Sequence, residues 1–223
     1  LAEMFEGNTY SHPLILYWNS SVRLGFFLIT TYMLAQLKTR FSLEEKLATT
    51  DSLTNIPNRR MFYQVVQAEI VRSGRTGRPF TVAYVDLDKF KLVNDRFGHH
   101  AGDELLRIVA QTLQAHVRRL DTTARLGGDE FTILLPELDR EAARELLPRL
   151  KALVSEAIRA HGWPVTVSLG AVTYLLPPPD VDTILSRADG MMYSAKKDGG
   201  DEIYYDVYPG SVEEQPRPGP VIG

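Results

Sequence analysis

Residues 122–136 read TTARLGGDEFTILLP. An apolar-leaning run enters two adjacent glycines, Gly127 and Gly128, meets two adjacent carboxylates, Asp129 and Glu130, and leaves through the apolar Phe131 to Leu135. The pattern predicts strand, tight turn, strand, because glycine supplies the backbone freedom of a hairpin turn and aspartate tolerates it. A turn accounts for the glycines but not for paired acids at a strand entrance. Bare backbone also lets a phosphate approach, and carboxylates hold hard cations. The stretch taken alone fits an ordinary bend and a phosphate and metal site equally.

Working outward, residues 79–88, PFTVAYVDLD, form a nearly continuous apolar run that ends in carboxylates, the mark of a buried central strand. Ahead of it, TTDSLTNIPNRR (49–60) offers Pro57 and Asn58 as the turn and N-cap of a helix with Phe62, Val65, Val66 and Ile70 inward. Three later helices are expected, with Leu106, Ala110, Leu113 and Val117 on one inner face, Leu146, Leu150, Leu153 and Val154 on the next, and Ile184, Ala188, Met191 and Ala195 on the third. VTVSLGAVTY (165–174) reads as a strand and EIYYD (202–206) as an edge strand. The order strand, helix, hairpin, helix, strand predicts an α+β, ferredoxin-like (split βαβ) sheet containing antiparallel pairs, flanked by helices and leaving one face free for a ligand.

With 223 residues and 44% hydrophobic content, the chain is long enough for one substantial domain and an appendage. A net charge of -3 gives no basic footprint for nucleic acid, and the absence of cysteine excludes disulfides, thiolate metal sites and cysteine nucleophiles. The first fifty residues differ in character. In HPLILYWNSSVRLGFFLITTYMLAQLKTR (12–40), Leu24 to Leu37 falls short of the ~20 apolar residues that span a bilayer, yet Tyr17 and Trp18 precede it and Lys38 and Arg40 follow, as at a membrane interface. Two readings stay open: the end of a spanning helix over 13–37, or a helix that packs against a partner chain. Spacing of Leu37 with Phe41 and Leu43 with Leu47 extends a helix towards Asp51.

Carboxylates cluster at two strand ends: Asp86 with Asp88, and Asp129 with Glu130. If the strands are neighbours, three or four like charges converge, which is unfavourable unless a cation joins them. Oxygen ligands without His or Cys suit Mg²⁺ or Mn²⁺ beside substrate phosphates. Taken singly, Asp86 reads equally as a helix cap and Asp129 as a turn residue. Lys91, Asn94 and Asp103 sharpen the set, since lysine suits phosphate while an amide and a carboxylate match the donor and acceptor edge of guanine.

From Asp51 to Asp206 the chain resembles the GGDEF family of diguanylate cyclases, with the signature intact at Gly127 through Phe131 and four more blocks in order: DSLTNIPNRR, VDLDKFKLVNDRFGHHAGDELL, VTVSLGA and MMYSAKKDGG. By their own residues, 1–50 reads as a membrane-proximal or dimerising helical segment and 207–223, rich in proline and glycine, as a disordered tail. The resemblance implies a nucleotidyl-cyclase-like fold, with 51–206 the catalytic domain. It implies condensation of two GTP to cyclic di-GMP and two pyrophosphates, with Asp86, Asp129 and Glu130 catalytic and two Mg²⁺ or Mn²⁺ per site held by Asp86, the Leu87 carbonyl, Asp129 and Glu130. Gly127 and Gly128 would give the α-phosphate room, Asn94 and Asp103 would read guanine, and Lys91 and Lys196, with the backbone around Lys89 and Phe90, would hold the β- and γ-phosphates. Because one domain binds one GTP, a homodimer is implied, with the catalytic domain in the cytoplasm and the full-length protein anchored in the inner membrane if the first segment spans it.

Arg118 and Asp121 form an RxxD motif ahead of Gly127, where the family binds its product as an inhibitor, and Arg149 would add a contact there; a surface ion pair is the alternative, and the position of the motif favours the product site. Two departures stand out. The family's Gly-Arg-Asn after the AK block is here Gly199, Gly200 and Asp201, and Asn55 replaces a usual glycine. A lost charge-assisted hydrogen bond from the arginine costs about 1.5–3 kcal/mol. The departures keep a rival alive: a catalytically degenerate domain acting as a receptor for GTP or cyclic di-GMP.

Overall fold

The computed structural model describes residues 14–47, 49–178 and 180–210, with the side chains of the first helix described from 17 to 38. The chain divides into two compact units, Leu1–Ala48 and Thr49–Gly223. The first is a 34-residue helix, α1 (Leu14–Leu47). It runs unbroken through the polar stretch from Asn19 to Arg23, since none of those residues blocks a helix as proline does. The membrane expectation is not supported: among the described residues no helix is long and apolar enough to cross a membrane. Arg23 and Lys38 bracket an apolar run that is too short. Thr50, expected to end the first segment, instead bridges to Pro57 in the second unit.

The second unit is built around β1 (Phe80–Asp88), every residue of which is buried, with a strand on either edge and helices over both faces. Its partners are β3 (Glu130–Pro136) and β4 (Thr166–Tyr174), both antiparallel. β2 (Thr122–Gly127) lies outside β3, and β5 (Ile203–Tyr208) runs parallel to β4, giving the order β2-β3-β1-β4-β5. Strand alternation sorts the core into two layers. Ala83, Val85 and Leu87 face α4 (His99–His116) and α5 (Arg140–Ala160); Phe80, Val82 and Tyr84 face α2 (Arg59–Thr76) and α6 (Val181–Lys197). Both faces are therefore covered. The expected free face is corrected, and a ligand is left the ends of the strands.

Local signals set most boundaries. Asn58 caps α2, its Oδ1 accepting from Met61 N at 3.1 Å, and Asp139 and Asp180 cap α5 and α6 in the same way. The single helix expected after β1 is two, α3 (Phe90–Phe97) and α4, broken at Gly98 with φ 84. Val117, expected on the inner face, is the extended residue that ends α4. On α5 the buried positions are Ala143, Leu147, Leu150, Val154 and Ile158, one residue out of step with the expected Leu146 and Leu153. β5 continues to Tyr208, past the expected boundary at 206; the remainder of the expected tail, from 211, lies outside the described residues.

Candidate active site

The acids meet where β1 ends. Asp86 stands opposite Glu130 on β3 and opposite Ser168 on β4. It is 4% exposed. Burial pushes its carboxyl up to about 6; the Lys196 ammonium opposes that rise, while the negative charges of Asp129 and Glu130 add to it. Lys196, in the last turn of α6, places Nζ 2.5 Å from Asp86 Oδ1, an ion pair.

The hairpin supplies the other two carboxylates. Gly127 pairs with Glu130, so Gly128 and Asp129 form a two-residue turn. Gly128 has φ 52 and Gly127 φ 151, and a Cβ at either would meet nothing within 4 Å. Backbone geometry, not packing, accounts for Gly128, and both residues leave an open, bare surface beside the acids. Arg125 fixes the turn from behind: Nε and Nη2 donate to the Gly128 carbonyl at 3.0 and 2.7 Å, and Nη1 reaches Asp51 Oδ1 at 3.0 Å. Asp51 also accepts from Thr54 N and Oγ1. Burial raises the Asp51 carboxyl, but the hydrogen bonds from Thr54 and Arg125 outweigh it and hold the group below its ordinary value. Sequence reasoning passed over Arg125, whose partner lies 74 residues away.

Asp88 does not join the group. Thr166 Oγ1 donates to it at 2.8 Å, Ser168 Oγ at 2.8 Å and the Asp201 amide at 3.0 Å, so it ties the loop after α6 to the end of β1. Gly200 in that loop has φ 77, and a Cβ there would stand 3.0 Å from Asp88 Oδ2. Asp201 pairs with Lys151 of α5 at 2.6 Å. Of the four acids named at the strand ends, Asp86, Asp129 and Glu130 lie together and Asp88 drops out. Among the described residues no three acids or histidines gather closely enough to hold a metal by themselves. The donor chemistry nevertheless fits Mg²⁺ or Mn²⁺, since Mg²⁺ is ordinarily bound by one or two carboxylates plus substrate phosphates and not by a complete protein cage. The Lys196 ammonium on the buried Asp86 carboxylate shows that this position takes a cationic partner.

Around this centre, Lys89 takes the left-handed conformation, φ 63, at the junction of β1 and α3, an uncommon geometry for a non-glycine residue. Lys89 and Lys91 are exposed and Phe90 is half-buried against the core. Asn94 on α3 and Asp103 on α4 are both half-buried, held by the corner at Gly98. A Cβ on Gly102 would fall 2.0 Å from Asn94 Oδ1, so the bare residue makes the seat for that amide. Leu87 is fully buried, its side chain in the α4 and α5 layer. Arg118 and Asp121 form a two-point pair, Nη2 to Oδ1 at 2.8 Å, with the Asp121 side chain fully buried, its Oδ2 accepting from Arg118 N, and the guanidinium also donating to the Pro136 carbonyl. Arg149 is exposed on α5.

Residues 48–202 match the family model described as diguanylate cyclase, GGDEF domain. The diguanylate cyclase DgcP of Pseudomonas aeruginosa is 37% identical over 162 residues, covering 72% of this chain and 24% of its own length. The bifunctional diguanylate cyclase/cyclic di-GMP phosphodiesterase MucR of the same organism is 40% identical over 159 residues, 69% of this chain and 23% of its own length. The chain spans about a quarter of the length of these curated relatives. Among solved structures, the GGDEF domain of DgcB from Caulobacter crescentus in complex with c-di-GMP superposes with a TM-score of 0.65 at 29% identity, covering 71% of this chain and 95% of that one.

Proposed function

The chain belongs to the diguanylate cyclase GGDEF-domain family, and from that premise we propose that it condenses two GTP into cyclic di-GMP and two pyrophosphates. In each step the 3′-oxygen of one nucleotide bonds to the α-phosphorus of the other, the bond from that phosphorus to pyrophosphate breaks, and the hydroxyl proton passes to water. Two divalent cations held by Asp86, Asp129, Glu130 and the Leu87 carbonyl would neutralise charge on the entering and leaving oxygens. The chain's own groups do the rest. Asn94 and Asp103 read the guanine edge, with Gly102 fixing the Asn94 amide. Lys91 and Lys196, with the backbone at Lys89 and Phe90, hold the β- and γ-phosphates, so Lys196 exchanges Asp86 for phosphate when nucleotide arrives. Gly127 and Gly128 leave the α-phosphate a bare surface.

The observation that carries this reading is the ladder pairing of Asp86 with Glu130, with Asp129 in the adjoining turn close enough that its charge acts on Asp86. One domain presents one such set, so an in-line attack needs a second copy facing it, and the working unit is a homodimer. The two-point Arg118–Asp121 pair supports a product site, because it holds a half-exposed guanidinium in a fixed plane. The test is incubation of the purified protein with GTP and Mg²⁺ and chromatographic detection of cyclic di-GMP. Product is expected from the wild type and none from Asp129→Ala; a wild type that makes no product even when fused to a dimerising helix would overturn the reading.

A second reading, a receptor without catalysis, is favoured by one feature: Gly200 stands where the family resemblance implies arginine, in backbone geometry suited to glycine. Binding of GTP or cyclic di-GMP without turnover in the same assay would select it.

A further inference from the structure

Tyr84 precedes Asp86 by two residues on β1 and shares its face of the sheet. Because Asp86 is the ladder partner of Glu130, Tyr84 is the diagonal neighbour of Glu130, within reach of a long aromatic side chain. Its ring is buried with Phe62, Val82 and Ala188. Across the ladder on β4 stands Gly170, where a Cβ would come 2.1 Å from Met192 N, so α6 lies directly against the sheet beside the ring. The ring is fixed by these contacts and its hydroxyl leaves the apolar layer at one point, donating to Glu130 Oε2 at 3.0 Å. A phenol is neutral at physiological pH and so remains a donor to the carboxylate.

On the cyclase reading above, we propose that Tyr84 is a positioning residue for Glu130, holding one carboxylate oxygen so that the other is presented to the divalent cation. Glu130 needs such a tether. It is the first residue of β3, half-exposed, beside the like charges of Asp86 and Asp129, and among the described residues Tyr84 is its one side-chain hydrogen-bond donor. Without the hydroxyl, mutual repulsion would favour rotamers that turn the carboxylate away from the site. Partners that orient a metal ligand in this manner commonly change metal affinity 10–100-fold when removed.

The experiment is Mn²⁺ titration followed by electron paramagnetic resonance, on the full chain with a non-hydrolysable GTP analogue, for wild type, Tyr84→Phe, Glu130→Gln and the double variant. Tyr84→Phe keeps the ring and its packing. It is expected to raise the Mn²⁺ Kd about tenfold in the wild-type background and to change it less than about twofold in the Glu130→Gln background, the coupling expected of a pair that acts as a unit. The Mg²⁺ concentration for half-maximal turnover should rise by the same factor while KM for GTP at saturating Mg²⁺ holds steady. An unchanged Kd in Tyr84→Phe, or an equal loss in both backgrounds, would overturn the role of Tyr84 while wild-type synthesis of cyclic di-GMP kept the cyclase reading intact. A wild type that neither binds Mn²⁺ nor turns over GTP would overturn both.

Discussion

At Gly200 the chain makes a backbone turn over Asp88. An arginine there would place a Cβ 3.0 Å from Asp88 Oδ2 in a left-handed conformation. Gly200→Arg should therefore lose about 1–2 kcal/mol in urea denaturation, the cost of a side chain in that backbone region. Asp51 makes a pH-dependent contribution of defined sign. Its folded carboxyl lies below the ordinary value, so the stabilisation is complete above the unfolded pKa and fades as pH falls through the lower, folded one. Asp51→Asn should be less stable than wild type at neutral pH, and the two denaturation midpoints should converge in acid. The roles of single residues were legible where they depended on neighbours in sequence, as with the Asn58 cap. They were illegible for Arg125 and Tyr84, whose partners come from other strands or loops and leave no mark in local spacing.

Two elements are held in place by missing side chains. α6 rests on Gly170, where a Cβ would collide with backbone at Met192 N and Ala188 O, 2.1 and 2.3 Å away. Backbone cannot move aside, so Gly170→Ala should cost about 3 kcal/mol, the upper end for overpacking, as a lowered denaturation midpoint. At Gly102 the obstacle is the movable end of Asn94, and alanine also favours a helix. Gly102→Ala should therefore lose no more than about 1–2 kcal/mol of stability, yet weaken GTP binding severalfold in a calorimetric titration, because the displaced amide is the proposed guanine reader. Helix and strand identities followed from apolar period, whereas the break between α3 and α4 depended on φ 84 at Gly98, which glycine permits without demanding.

The whole chain separates into a long helix and a sheet domain with its own two-layered core. A fragment of residues 49–210 should melt within a few degrees of the parent while making cyclic di-GMP much more slowly, and a fused dimerising helix should restore the rate. A fragment as active as the parent at equal concentration would remove α1 from catalysis. By itself the sequence determined the strands, the helices apart from the division between α3 and α4, the hairpin, the Asn58 cap and the presence of acids at two strand ends, because each rests on periodicity or turn chemistry within a few residues. The tertiary structure alone decided that helices cover both faces of the sheet, that Asp86 faces Glu130 while Asp88 is consumed by Thr166 and Ser168, and that Lys196 and Tyr84 attend the acids. Those outcomes depend on strand order and ladder register, which join residues tens of positions apart and are fixed only when the two apolar faces pack together.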